Sequence, residues 1–198
     1  IFIVLSILGC DQTEHFIDLN NNSKMDPYED PNISAIERAK DIISHLTIEE
    51  KIAQMESGAP SIPKLGISKY NWMNEALHGI RGDHGEVTTV FPQAIGVAAT
   101  WNVDLASRQG IAISDEARGL ANDRGNDRYL DFWSPVINIG RDPRWGRVGE
   151  TFGEDPYLVG NFGVQMIKGL QSDDFDGFDN VIACAKHLKD FLPTHQHL

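Results

Sequence analysis

From Asn32 onward the apolar residues fall at helical spacing. Ser34-x-x-Glu37 is a capping box, and Ile36, Ala39, Ile43 and Leu46 follow it at steps of three and four. Thr47-x-x-Glu50 is a second box, with Ile48, Ile52 and Met55 on one face. The pattern predicts two packing helices. Further on, Asn102 precedes a long helical stripe of Val103, Ala106, Gly110, Ile113, Ala117 and Leu120. Asp155 is placed as an N-cap with Pro156 at N1. Val159, Phe162, Gly163, Met166 and Leu170 then form the inner face of the helix that follows. Short apolar runs at Tyr70–Asn74, Leu130–Val136 and Val181–Ala185 read as strands. Strands alternating with helices predict an α/β fold with a parallel sheet.

Polar residues collect behind these strands. Glu75 and His78 follow the first, and Lys186 and His187 follow the last. After the middle one comes G-R-D-P-R-W-G-R-V-G-E-T-F-G-E-D-P-Y, Gly140 to Tyr157. Pro143 and Gly146 force a loop there. Arg141, Arg144 and Arg147 offer planar forks that can hold hydroxyls or carboxylates in fixed geometry. The alternative is an internal network in which arginines and acidic residues pin the loop. Functional groups gathered at strand carboxyl ends are the layout of a TIM barrel site.

Composition narrows the picture. The chain has 198 residues, 41% of them hydrophobic, enough for a packed core, and a formal net charge of -12. So acidic a chain lacks the basic footprint of a nucleic-acid binder. Neutral or polar small molecules fit better. No apolar run reaches the length of about eighteen residues that a membrane-spanning helix needs.

The first 32 residues follow another logic. Ile1 to Leu8 is apolar apart from Ser6, and the chain turns polar at Gly9-Cys10. Ile7-Leu8-Gly9-Cys10 resembles the lipobox of bacterial lipoproteins. That predicts a signal remnant over 1–10, acylation of Cys10, and a periplasmic or cell-surface protein tethered to a membrane by a lipid. An ordinary cleaved signal is the alternative. Residues 11–32 form a polar spacer. Within it Asp18, Asn20, Asn22, Asp26 and Glu29 occupy positions 1, 3, 5, 9 and 12 of an EF-hand-like calcium loop, with the Lys24 carbonyl between. Ser23 stands where that motif has glycine, so weak calcium binding or a plain solvated spacer are the two readings. No cofactor is expected for catalysis.

The remainder, 33–198, carries a denser set of matches. These are N-W-M-N-E-A-L-H-G (71–79), T-V-F-P-Q-A-I-G (89–96), I-S-D-E-A-R (113–118), F-W-S-P-V-I-N-I (132–139), the R-D-P-R-W-G-R loop, and A-K-H (185–187). Together they resemble the N-terminal part of glycoside hydrolase family 3, the β-glucosidases and β-xylosidases. The resemblance implies the N-terminal portion of a (β/α)8 barrel and retaining hydrolysis of terminal β-glycosyl residues. It implies that Arg147, Lys186 and His187 hydrogen-bond the sugar that is cleaved off. It also implies that Glu75 faces the same sugar. Glu75 is the longer acid of the xylosidase-like N-E-x-L-H-G form, and it would crowd the hydroxymethyl group of a hexose; the alternative is that Glu75 only pairs with an arginine and both sugars are accepted.

Departures accompany the match. The family's aspartate nucleophile and its acid/base are expected beyond the Lys-His strand, and neither is found. The tail from Leu188 does not match the family, and His195 and His197 are too sparse for a metal site. A TIM barrel takes about 250 residues. The sequence is therefore read as an inactive fragment of a glycosidase. A lipid-anchored sugar-binding protein without catalysis is the rival.

Overall fold

Ser34 and Thr47 start their helices as the sequence predicts. In the computed structural model, which describes residues 16–71, 74–82, 85–125, 127–172 and 179–187, α1 spans Ala35–Ser44 and α2 spans Ile48–Ala53. The Glu37 amide donates to Ser34 Oγ at 3.2 Å and the Glu50 amide to Thr47 Oγ1 at 3.2 Å. Both glutamates return the bond to the cap amide, so orphan donors at each helix start are satisfied. The chain divides into two units, Ile1–Lys69 and Tyr70–Leu198. The division falls inside the segment 33–198 that the sequence reads as one domain.

In the first unit the core is small: Tyr28, Leu46, Ile62 and Leu65, with Ile42 and Ile67 against them. The Tyr28 hydroxyl donates to the Leu65 carbonyl at 3.2 Å, and Arg38 Nε donates to the Tyr28 carbonyl at 2.8 Å. Gly66 (φ +66) lies so close to the Leu19 carbonyl that a Cβ would sit 1.7 Å from its oxygen, so no other residue fits. The expectation that α1 and α2 are packing helices is only half met. Leu46 is buried, but Ile36, Ile43, Ile48, Ile52 and Met55 are exposed, Met55 by 80%. Period alone makes a helix amphipathic. Burial needs an opposing surface, and this core is filled from Tyr28 and the Ile62–Leu65 turn instead.

The second unit carries the α/β architecture. Its larger elements in chain order are α3 (Ala94–Ala98), α4 (Val103–Arg124), one strand of a parallel pair, α5 (Pro156–Leu170) and the other strand of that pair. To keep chain order, the extended pairs Gly58–Ala59 and Tyr70–Asn71 are β1 and β2, and the parallel strands are β3 (Asp131–Phe132) and β4 (Ile182–Ala183). β3 and β4 pair Asp131 with Ile182 and Phe132 with Ala183, and a further parallel bridge joins Val136 to Lys186. Two parallel strands joined through α5 form a β-α-β unit. The predicted strand over 130–136 is thus interrupted. Leu130 closes a 3₁₀ turn, and Pro135, without an N–H, gives the ladder only its carbonyl, which accepts from the Lys186 amide at 3.0 Å.

α4 and α5 are the backbone of this unit. The predicted α5 face is buried throughout: Val159, Phe162, Gly163, Met166 and Leu170. Asp155 caps it as expected, accepting from the Leu158 amide at 2.7 Å. Of the α4 stripe, Ala106, Gly110, Ile113 and Ala117 are buried, while Val103 and Leu120 are half-covered at the core edge. Asn102 holds the N-cap position, yet its side chain makes no capping bond. The two helices cross at glycines. A Cβ on Gly169 would stand 2.2 Å from the Ser107 carbonyl oxygen, and one on Gly110 would stand 2.8 Å from that of Met166. That crossing brings Phe162 of α5 into one core with Phe132 of β3 and Val181 beside β4.

Candidate functional site

Residues that the sequence places behind three different strands meet in space. Lys186 is buried, and its Nζ donates to Glu75 Oε1 in a short, charge-assisted bond. The ladder sets Lys186 in place. Its carbonyl accepts from the Ile137 amide at 2.8 Å, and its own amide donates to Pro135. Glu75 follows Asn74, whose side-chain oxygen takes the Glu75 amide at 2.9 Å and whose amide group donates to the Arg128 carbonyl at 3.0 Å. The other Glu75 oxygen, Oε2, is buried and has no hydrogen-bond partner among the described residues.

Glu75 lines a cavity of about 390 Å³ with Leu77, His78, Arg81, Arg147 and Glu150 among its walls. Arg147 reaches it from the arginine loop. Its Nε donates to Glu150 Oε1 at 2.8 Å and its Nη2 to Glu150 Oε2 at 2.6 Å, a fork-to-fork pair. This bond holds the Glu150 carboxyl below the usual carboxylate range. The charges of Arg147, Lys186 and His187 act in the same direction. His187 turns toward Asn138. Its backbone N–H donates to Asn138 Oδ1 at 2.9 Å, and its ring Nδ1 lies 3.0 Å from the same oxygen, which places the ring hydrogen on Nδ1.

The rest of the loop follows the alternative reading of its arginines. Arg144 pairs with Asp142 through Nη2 at 2.7 Å and Nε at 3.0 Å, and this bond pulls the Asp142 carboxyl down to about 2. Both side chains are largely exposed, so the pair shapes the loop and adds little stability. Behind the site Asp131, on β3, has its carboxyl pushed up by burial, while a bond from the Tyr70 hydroxyl at 3.1 Å acts against that.

The predicted calcium ligands belong to the first unit. Asp18 Oδ1 and Oδ2 accept from the amides of Asn22 (3.1 Å) and Ser23 (2.8 Å), and Asn22 Oδ1 accepts from Lys24 N at 2.7 Å. Glu29 is buried, with its two oxygens taking the amides of Leu19 (2.7 Å) and Asp26 (2.9 Å). Ser23 adopts the left-handed conformation (φ 60) that glycine has in the motif. Among the described residues no three His, Cys, Asp or Glu side chains gather to hold a metal. Cys10, His195 and His197 lie outside the described residues.

Sequence reasoning missed two residues here, Glu150 and Asn138. Each had a faint signal. Glu150 stands three positions after Arg147, and Asn138 is a polar residue within the otherwise apolar V-I-N-I run.

A β-α-β unit with cationic and acidic side chains gathered behind its strands defines an α/β domain with a polar site at its strand ends. Residues 29–195 match the glycosyl hydrolase family 3 N-terminal domain, and the chain is a member of that family. The xylan 1,4-β-xylosidase of Xylanibacter ruminicola is 45% identical over 179 residues, which cover 86% of this chain and 21% of the relative. A probable β-D-xylosidase 7 of Arabidopsis thaliana is 43% identical over 165 residues, covering 76% and 21%. A family 3 exo-β-xylosidase solved with a xylobiose aziridine activity-based probe superposes with a TM-score of 0.69 at 32% identity, over 82% of this chain and 22% of that one. β-Glucosidase 3B from Thermotoga neapolitana, solved with α-D-glucose, gives 0.57 at 28% identity, over 76% and 23%. The chain therefore spans about a fifth of the length of the relatives it matches.

Proposed function

We propose that this chain supplies the sugar-gripping part of a retaining β-glycosidase that removes terminal β-D-xylosyl residues, within a (β/α)8 barrel domain. One observation carries the reading. Glu75 Oε2 is a buried, unpaired acceptor on the wall of a cavity, beside Arg147 and bonded on its other side to Lys186. A desolvated acceptor without a partner costs about 1–3 kcal/mol. A sugar hydroxyl donated into the cavity would recover that cost. Lys186 holds Glu75 aimed by its hydrogen bond, Arg147 adds cationic donors, and His187 presents an oriented ring nearby. Such bonds can strengthen as positive charge develops on the sugar in an oxocarbenium-like transition state. The likeness to xylosidases and the length of Glu75 support xylosides over glucosides.

The test is hydrolysis of 4-nitrophenyl β-D-xyloside and β-D-glucoside by the whole protein. Arg147→Ala and Lys186→Ala should each lower kcat/KM by about tenfold to a hundredfold or more. Glu75→Asp should shift preference toward the glucoside. Near-wild-type rates in the first two variants would reduce both residues to loop braces and sink the assignment.

We further propose that Cys10 is acylated and holds the protein on a membrane surface of a bacterial envelope. The support is the lipobox-like sequence at the polarity switch. Cys10→Ala should move the protein from the membrane to the soluble fraction; unchanged fractionation would refute it. The Asp18–Glu29 loop is proposed as a weak calcium site. Its oxygen donor set suits a hard cation, and Ser23 already adopts the turn conformation. Calorimetry should show heat with calcium that Asp18→Ala removes.

A further inference from the structure

Glu75 stands between two residues that are almost wholly buried, Asn74 (3% exposed) and Ala76 (1%). Each is tied to the stretch 128–134 of the chain. The Trp133 amide donates to the Asn74 carbonyl at 2.9 Å, and the Ala76 amide donates to the buried Ser134 Oγ at 3.3 Å. The Asn74 side chain adds a third tie. Its Nδ2 donates to the Arg128 carbonyl at 3.0 Å, in the 3₁₀ turn Asp127–Leu130 that leads into β3. Its Oδ1 takes the Glu75 amide at 2.9 Å. The Glu75 carbonyl in turn accepts from the Arg81 amide at 2.9 Å. Both main-chain polar groups of Glu75 are thus bonded, and one of them is bonded by the buried side chain of its own neighbour.

We propose that Asn74 is a positioning residue of the site and a determinant of its selectivity: it acts through the Glu75 amide, fixing how far the Glu75 carboxylate reaches into the cavity and how much room is left for a hydroxymethyl group on the sugar. The inference rests on the function proposed above and deepens it by a residue which that reading did not need.

The bonding at this place calls for one acceptor and one donor on a short planar group. The Glu75 N–H needs an oxygen, and the Arg128 carbonyl takes an N–H. Among side chains of this length asparagine carries both. Aspartate offers two acceptors, one of which would face a carbonyl. Leucine, of similar volume, offers neither and would leave an N–H and a C=O without this partner. The demand on precision comes from the sugar. A carboxylate that tells a hydrogen from a hydroxymethyl group works over a fraction of an ångström, so the chain that bears it must be held as closely. The Lys186 bond fixes the far end of the Glu75 side chain, and the Asn74 bond fixes the backbone at its near end. Together they define its reach.

Two substrates on one set of variants of the whole protein test this: kcat and KM for 4-nitrophenyl β-D-xyloside and β-D-glucoside. Asn74→Leu removes both side-chain bonds at similar volume. It should lower kcat/KM for the xyloside by about tenfold or more and cut the xyloside-to-glucoside ratio by about threefold or more. The ratio is the decisive reading. A residue that serves the fold alone changes the amount of active enzyme, which scales both substrates alike and leaves KM and the ratio where they were. Asn74→Asp keeps the acceptor and loses the donor, so its ratio should fall between wild type and Asn74→Leu; it carries the test if Asn74→Leu does not fold. In the Glu75→Ala background neither substitution should move the ratio further, because no carboxylate remains to place. A wild-type ratio in the Asn74 variants, alongside a slowed Glu75→Ala enzyme, overturns the proposal. So does a ratio that still shifts in the Glu75→Ala background. A Glu75→Ala enzyme with wild-type rates is a failure of the sugar-site reading itself and takes this inference with it.

Discussion

The helices of residues 35–53 and those of residues 94–170 carry the same kind of amphipathic sequence and end in opposite surroundings. In the second unit the stripes of α4 and α5 close on each other, down to glycine contacts that admit no side chain. In the first unit most of the stripe residues of α1 and α2 are exposed, Leu46 and the half-buried Ile42 apart, and no residue of either helix is fully buried. The difference lies in what stands opposite. α5 has α4 and β4 to pack on. Among the described residues, α1 and α2 face a core of four buried residues, most of it supplied by Tyr28 and the Ile62–Leu65 turn. Capping boxes therefore account for the existence of α1 and α2, and packing accounts for α4 and α5.

The largest test of that contrast is Phe162→Ala. Phe162 is fully buried and its ring lies 5.5 Å from that of Phe152. Truncation should destabilise the second unit by about 3–5 kcal/mol, read by denaturant unfolding. A loss below 1 kcal/mol would show that this core is loosely packed. Next comes Ser34→Ala, which removes the cap that α1 depends on. It should cost about 1 kcal/mol and lower helicity by circular dichroism. An unchanged signal would mean that packing, not capping, holds α1. Smallest should be Ile48→Ser on the exposed stripe, within about 0.5 kcal/mol of wild type. A cost well above that would show the stripe covered in solution.

The loops offer a parallel contrast. In the first unit the Asp18 carboxylate is held by backbone amides, and in the second the Asp142 carboxylate is held by Arg144. The folded Asp142 carboxyl lies at about 2, below its unfolded value. Its contribution to order is therefore complete above the unfolded value and fades as pH falls through about 2. Carboxyl NMR titration should find Asp142 ionised at pH 3. Protonation near the ordinary aspartate value would break the ion pair as a description of the loop.

Much of this was legible in the sequence. The boxes at Ser34 and Thr47, the Asp155 cap and the whole α5 face followed from spacing, because local bonds and periodicity decide them. Glu75, Arg147 and Lys186 were legible as polar residues after strands. Their meeting was not, since it depends on a ladder formed across the chain. The exposure of Ile36, Ile48 and Met55 was illegible for the same reason: a stripe says that a helix has an apolar side and not what will face it. Glu150 was hidden because a glutamate near arginines in a loop reads as solvated charge until the fork-to-fork geometry is seen.

The pairing of Glu75 with Lys186 spans 111 residues of chain. That separation is also an interval of time. A polypeptide leaves the ribosome at about 5–20 residues per second, so Glu75 waits roughly 5–20 s for its partner to be made. Through that interval the glutamate has no lysine beside it, and the neighbouring segments carry a charge that the finished fold encloses. Contacts of such long range also form late in refolding, after the local helices. The Glu75–Lys186 pair is thus one of the later contacts of this chain to be assembled.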